Sequence, residues 1–166
     1  MLNFIGQSPS RRYTSRGFSM LEVLITVLIL SLGLLGMAGL ITTGMKSNAT
    51  AHFRSIAIHQ TQDIADRMRA NLAGVRSGVY DNLTAAIPAS NDCVAAGCDT
   101  SQMAVYDHAQ WNTANANLLP NGQGTVIGDL VNGFVITMMW TEKDRGGGCQ
   151  GAVPAETRCF QTRFVP

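Results

Sequence analysis

Charged residues are scarce in this chain and are absent from one long stretch of it. Asp, Glu, Lys and Arg make up 14% of the 166 residues, and none of them stands between Glu22 and Lys46. The apolar run over the same stretch continues to Met45 and meets the requirement of roughly 20 apolar residues for a helix that crosses a bilayer. We therefore predict a membrane helix over 18–45.

The side-chain constellations that enzymes use are also missing. No Ser-His-Asp order, phosphate-cradling glycine loop or metal-binding helix motif rises above chance. His52 and His59 are seven residues apart, and no acid or cysteine completes a ligand set near them, so we expect solvated or helix-packed histidines. Trp111 and Trp140 are expected in the core rather than stacked on a ligand. The sequence thus predicts no enzyme, with no catalytic residue, no cofactor and no metal.

A secretory signal of the ordinary kind is lacking as well, because no A-x-A cut site stands where it would be needed after the apolar run. Glu22 is unusual, since a carboxylate in the first turns of a membrane helix costs about 2.5 to 3.5 kcal/mol on insertion scales and requires a partner. One interpretation is a helix-end acid that snorkels to the interface. The surrounding block suggests another; it reads Arg16-Gly17-Phe18-Ser19-Met20-Leu21-Glu22-Val23, with Arg11 and Arg12 upstream.

This block resembles the class III signal of type IV pilins and of type II secretion pseudopilins. The resemblance implies that a prepilin peptidase cuts after Gly17 and methylates the new terminal amine on Phe18. It also implies that Glu22, then the fifth residue, meets the terminal amine of a neighbouring subunit. The chain would comprise a leader peptide at 1–17, a transmembrane and assembly helix at 18–45, and a periplasmic pilin domain at 46–166.

Basic residues indicate how the helix is oriented in the membrane. Three arginines precede the apolar run and one lysine follows it, so the N-terminus is expected in the cytoplasm and the domain beyond the inner membrane. The predicted leader holds those three arginines and no acid, and its removal changes the formal charge from +1 to −2. We therefore predict no nucleic-acid partner.

Four cysteines fit an exported domain, because they are even in number and confined to the predicted periplasmic part. They allow three pairings. We favour Cys93 with Cys98 and Cys149 with Cys159, since each pair closes a short loop and separate structural signals lie between the two clusters. A tetrahedral zinc site competes with this interpretation, but neither pair has the two-residue spacing of a zinc knuckle.

Charge is unevenly placed after the membrane helix. Residues 46–76 are basic by three, and the next segment carries only acids, at Asp81, Asp92, Asp99, Asp107 and Asp129. The two parts could attract one another within a subunit or between subunits. We favour the alternative, in which these charges form a solvated surface.

Helical periodicity continues beyond the membrane run, where no proline interrupts 46–72. An apolar stripe is expected to seat the domain on this helix, and Asp63 and Arg67 stand four apart in the orientation that supports a helix. A second helix is predicted from Gln102 to Asn115, behind a cap at Asp99. The residues of the stripe are Phe53, Ile56, Ala57, Ile64, Met68 and Leu72.

Alternating patterns predict strands in the last third of the chain. They cover Gly133–Thr141 and Thr157–Val165, joined as a hairpin by a flexible turn at 145–148, and a weaker strand covers Thr125–Ile127. The predicted fold class is α+β. A long N-terminal helix, half transmembrane and half amphipathic, packs on a small antiparallel sheet, as in pilins.

Segments beyond the leader look like the PilV-type minor pilins of type IVa pili. The resemblance implies a minor pilin that joins other minor pilins and the major pilin to start or cap a filament used in adhesion and twitching. A minor pseudopilin of a type II secretion system is the alternative, and an unrelated membrane-anchored enzyme is a third class. The segments are 63–71, 106–111, 119–124 and 135–140.

Overall fold

The computed structural model describes residues 17–143 and 156–166. The chain divides into two compact units, Met1–Met45 and Lys46–Pro166. One helix, α1 (Met20–Ala70), contributes to both of them. Its unbroken course agrees with the sequence, since no proline occurs in it to remove a backbone donor.

The described residues of the second unit form three shorter helices: α2 (Leu72–Arg76), α3 (Cys93–Ala96) and α4 (Thr100–Leu118). Asp99 caps α4 as predicted. Its carboxylate accepts from the Gln102 amide at 2.8 Å, while the Gln102 side chain accepts from the Asp99 amide at 3.1 Å. This reciprocal capping box satisfies backbone donors that the first turn leaves unpaired.

Within the part of the chain that the structure describes, the sheet has four antiparallel strands in the order β1 (Asn82–Leu83), β2 (Gln123–Asp129), β3 (Gly133–Thr141) and β4 (Thr157–Phe164). In the central strand, alternate residues are buried, so Phe134, Ile136, Met138 and Trp140 face the core. The intervening residues of β3 are only half exposed, which agrees with the prediction that both faces are at least partly covered.

The core forms where the second half of α1 packs on this sheet. Ala57, Ile64 and Met68 of the predicted stripe are buried in the same cluster as Ile136, and Phe53 and Ile56 pack at its margin. Burying a side chain of the size of Ile64, Met68 or Ile136 stabilises the fold by about 1.5 to 3 kcal/mol. The predicted α+β, pilin-like fold is therefore confirmed.

Several element boundaries differ from the prediction. Leu72 was wrongly placed in the stripe and is 41% exposed, because α1 ends at Ala70 and Asn71 starts a new helix. Helix α4 begins earlier and ends later than Gln102–Asn115, since the capping box sets its start and the turn before Gly122 sets its end. Strand β2 is longer than predicted because its whole length pairs with β3.

One disulfide is present among the described residues, between Cys93 and Cys98, which is the first of the two favoured pairs. Cys149 and the predicted turn at 145–148 lie outside the described residues. The pairing of Cys149 with Cys159 therefore stays a prediction.

Peptide mapping without reductant tests that second pair. We expect a fragment in which Cys149 is joined to Cys159, because this pair closes a short loop of about ten residues in the sequence. A disulfide that closes such a loop should contribute on the order of 2 to 4 kcal/mol to the free energy of unfolding. Recovery of Cys93 joined to Cys159 would contradict both pairings.

Candidate assembly and processing site

The predicted cut site lies just before the start of α1. Gly17, Phe18 and Ser19 are not helical, and the Phe18 side chain is 83% exposed. Ser19 caps the helix: its hydroxyl accepts from the Leu21 amide at 3.2 Å, and its carbonyl accepts from the Glu22 amide at 3.0 Å. A cut after Gly17 would therefore leave the cap of α1 intact.

Glu22 lies in the first turn of α1 and is exposed. A carboxylate at this position interacts favourably with the unpaired amides and with the dipole at the helix N-terminus. Its side chain has no partner among the described residues. The carboxylate is therefore available to a cation that is not among the described residues.

The helix that carries Glu22 exposes its apolar side chains throughout the first unit, and none of its residues is buried there. Within the described part of the chain, α1 alone is long and apolar enough to cross a membrane. A soluble protein rarely exposes an apolar surface of this extent. The first half of α1 fits the single-pass membrane anchor of a pilin.

In the second unit, a polar cluster joins α1, the segment after α2, and α4. Arg67 donates to Asp63 at 2.8 Å, as the four-residue spacing predicted, and to Asp107 at 3.3 Å. Tyr80 donates to the other oxygen of Asp107 at 2.6 Å, and Asn71 donates to the Tyr80 hydroxyl at 3.2 Å. The favoured solvated surface is thus wrong for Arg67 and Asp107, which connect the basic segment to the acidic one.

Two pKa values reflect this environment. Burial raises the pKa of Tyr80, and the hydrogen bond to Asp107 raises it further, which outweighs the opposing contact with Asn71. Burial lowers the pKa of Arg67, but its bonds and charge interactions with Asp63 and Asp107 make the net shift upward. The cluster therefore holds a neutral tyrosine beside a charged pair.

This tyrosine predicts a loss of stability in alkali. The unfolded chain releases the tyrosine proton near pH 10.0, while folded Tyr80 retains it, so the folded state binds more protons and stability falls as pH rises. The free energy of unfolding should fall with a slope that reaches about 1.4 kcal/mol per pH unit. Denaturant unfolding between pH 8 and 11 gives the free energy of unfolding at each pH. Tyr80→Phe should remove the part of its decline that is due to this tyrosine. The matched variant Tyr106→Phe should keep it, and an equal slope in all three proteins would contradict the assignment.

A second polar cluster attaches α4 to the edge of β2. Strand β1 pairs only with Val126 and Ile127, so it does not reach Gly124. The Asn112 side chain takes its place, accepting from the Gly124 amide at 2.8 Å and donating to the Gly124 carbonyl at 3.1 Å. A Cβ at Gly124 would lie 2.3 Å from the Trp111 ring, so only glycine allows this approach.

Both predicted core tryptophans are buried. His52 and His59 are exposed, and His108 is buried with its Nε2 2.7 Å from the Thr84 carbonyl oxygen. Within 17–143 and 156–166, no group of three metal-ligating side chains comes together. Sequence reasoning missed the roles of Asn71, Tyr80 and Asn112, for which no local pattern gives a signal.

Two family models match the chain. One, described as a prokaryotic N-terminal methylation motif, matches residues 12–38, which include Gly17, Phe18 and Glu22. The other, described as type IV pilin Tt1218, matches residues 39–109, from α1 into α4. No curated protein and no solved structure matches. The two matched segments are adjacent and together cover more than half of the sequence, and the chain belongs to the type IV pilin superfamily.

Proposed function

We propose that this protein is a minor pilin that joins other minor pilins and the major pilin to start or cap a type IV pilus. The observation that carries the proposal is the methylation motif on the first half of α1, up to Met45, whose apolar surface and one carboxylate have no partner within the described chain. Filament subunits bury such surfaces among copies of related helices. The family is structural, so the role is assembly.

Processing and location follow the same proposal. A prepilin peptidase removes 1–17 and methylates Phe18, while the anchor holds the subunit in the inner membrane with its domain in the periplasm. The three arginines before the apolar run support this orientation. The Cys93–Cys98 disulfide supports an oxidising compartment. From there the subunit enters the pilus.

The finer assignment, a PilV-type minor pilin that supports twitching motility and adhesion, rests on the sequence segments at 63–71, 106–111, 119–124 and 135–140. These segments build structural parts of the second unit. The first contains Asp63 and Arg67 of the polar cluster, and the second contains Asp107. The last supplies most of the core strand β3.

Affinity capture of the tagged full-length chain from solubilised membranes and from sheared pili tests the proposal. We expect other minor pilins and the major pilin in the captured material, and a loss of surface pili and twitching when the gene is deleted. Capture of secretion pseudopilins, together with normal pili and a secretion defect after deletion, would favour the pseudopilin alternative instead.

A further inference from the structure

Basic side chains gather at one end of the second unit. Lys46, Thr50 and Arg54 recur every four residues and therefore share one stripe of α1. The Thr50 hydroxyl donates to Glu142, which directly precedes Lys143 at the end of β3. We call the surface formed by Lys46, Arg54, Lys143 and Arg158 the basic end; Arg158 belongs to it through its ion pair with Glu142.

The exposed charge of the basic end is mainly positive. Glu142 is enclosed, with its side chain 11% exposed, and Arg158 lies 3.5 Å from its carboxylate. Lys46, Arg54 and Lys143 are all exposed, and none of them has an ion pair with a described residue. Glu156, whose carbonyl accepts from the Glu142 amide at 2.9 Å, is the one exposed acid that the described residues place here.

Arg54 and Arg158 also line a shared recess of about 150 Å³, together with Thr50 and Glu142. Although Glu142 lines the same recess, the Arg54 guanidinium makes no ion pair or hydrogen bond with a described residue, so it is a donor without an acceptor among them. An unpaired guanidinium binds oxygen anions through its N–H donors, and phosphate is the group that it recognises best.

The end of the uncharged run indicates where headgroup phosphates would lie along the helix. The uncharged run ends at Met45, one residue before Lys46. Along a helix, Arg54 is about 13 Å beyond Met45. Headgroups extend roughly 5 to 8 Å beyond the hydrocarbon on each side of a bilayer. Long basic side chains cover the remaining distance by extending their charged tips towards the interface.

We propose that the basic end binds the anionic phospholipid headgroups of the membrane in which the chain is anchored. Headgroup phosphates meet Lys46, Arg54 and Lys143 before the subunit enters any assembly. The proposal needs only the membrane anchor and does not depend on the proposed function. Loss of these contacts would accompany any departure of the subunit from the membrane.

The chain provides its own reporters, because Lys46 and Lys143 are its only two lysines. Full-length protein is placed in nanodiscs of phosphatidylcholine, with or without phosphatidylglycerol, and treated with a water-soluble amine reagent. Mass spectrometry then gives the labelling rate of each lysine. We expect Lys143 to react roughly fivefold more slowly in the anionic discs, since a basic side chain near such a surface gains about 1 kcal/mol. High salt should abolish the difference.

Two variants make the test specific. Arg54→Gln, at an exposed position, should bring the Lys143 rate ratio between the two discs close to one. Arg76→Lys keeps the charge and adds a reporter amine at an exposed position on α2, outside the basic end, and this lysine should react equally in both discs. Equal Lys143 rates in both discs, or equal slowing at position 76, would overturn the proposal, the latter because it indicates a general effect of the anionic surface.

Discussion

Replacing Glu22 by glutamine is expected to leave the protein cleaved, stable and membrane-bound, and to remove it from complexes with other pilins. In the membrane, the carboxylate near the helix start can reach headgroups or water, so its cost there is moderate. Inside a bundle of apolar helices the same carboxylate is buried and requires a cation. The sequence offers no lysine or arginine between Phe18 and Lys46, so we expect the terminal amine of a neighbouring subunit to supply that charge.

The expected effect is large because removing one partner leaves the other charge buried and unpaired. Truncating a buried, hydrogen-bonded charge pair costs about 2 to 5 kcal/mol, which corresponds to at least about thirtyfold weaker association. The loss of association is measured as the amount of partner that co-purifies with the tagged variant, divided by the amount of that variant in the membrane. A subunit at the tip of the pilus should show a smaller loss, since no subunit lies ahead of it.

Thr26→Val is the matched control for this experiment. Thr26 lies one turn beyond Glu22, and among the described residues its hydroxyl bonds only to helix carbonyls, at 2.7 and 2.9 Å. Its replacement removes a polar group from the same region without changing charge. It should therefore assemble normally. Normal association and filament formation by Glu22→Gln would exclude the salt-bridge mechanism for this subunit.

Replacing Gly17 by valine is expected to block processing completely. The peptidase of this superfamily cuts after glycine, and a branched side chain beside the scissile bond obstructs its approach. No described residue lies within 4 Å of a Cβ placed at Gly17, so the substitution does not disturb the described part of the protein. An intact, membrane-inserted precursor should accumulate and should not enter pili.

Mass spectrometry of the N-terminus checks this prediction. The unmodified protein should begin at Phe18 with a methylated amine, and Gly17→Val should retain the leader. Gly33→Val serves as the control, because Gly33 is an equally open glycine within α1. It should be cleaved normally. A native N-terminus at Met1, or one created by a cut after Met45, would contradict the proposed processing.

Much of the fold could be predicted from local patterns. The uncharged run, the spacing of Asp63 and Arg67, the Asp99 cap and the alternation in β3 each depend on residues close together in sequence. Backbone periodicity places such residues on one face whatever the rest of the chain does. The same holds for the assembly and processing site, since Gly17, Phe18 and Glu22 lie within one short block.

The boundaries and the polar clusters were decided by tertiary structure. Arg67 and Asp107 are 40 residues apart, and Tyr80 is 27 residues from Asp107, so no periodic pattern relates them. The sequence therefore gave no reason to choose Asp107 among five similar aspartates. A buried polar group must find a hydrogen-bond partner, and the partner is whichever group the folded chain brings near it.

The sequence by itself determined that the first half of α1 is a long apolar helix that carries one carboxylate at its start and fits a membrane anchor, because composition and spacing along a single helix specify these features. Only the tertiary structure decided that Asn112 substitutes for a missing strand beside Gly124, and that Thr50 and Arg158 enclose Glu142. These arrangements depend on how far β1 extends and where β3 ends against α1. Such distances are fixed by the packing of whole elements, and local sequence patterns do not contain them.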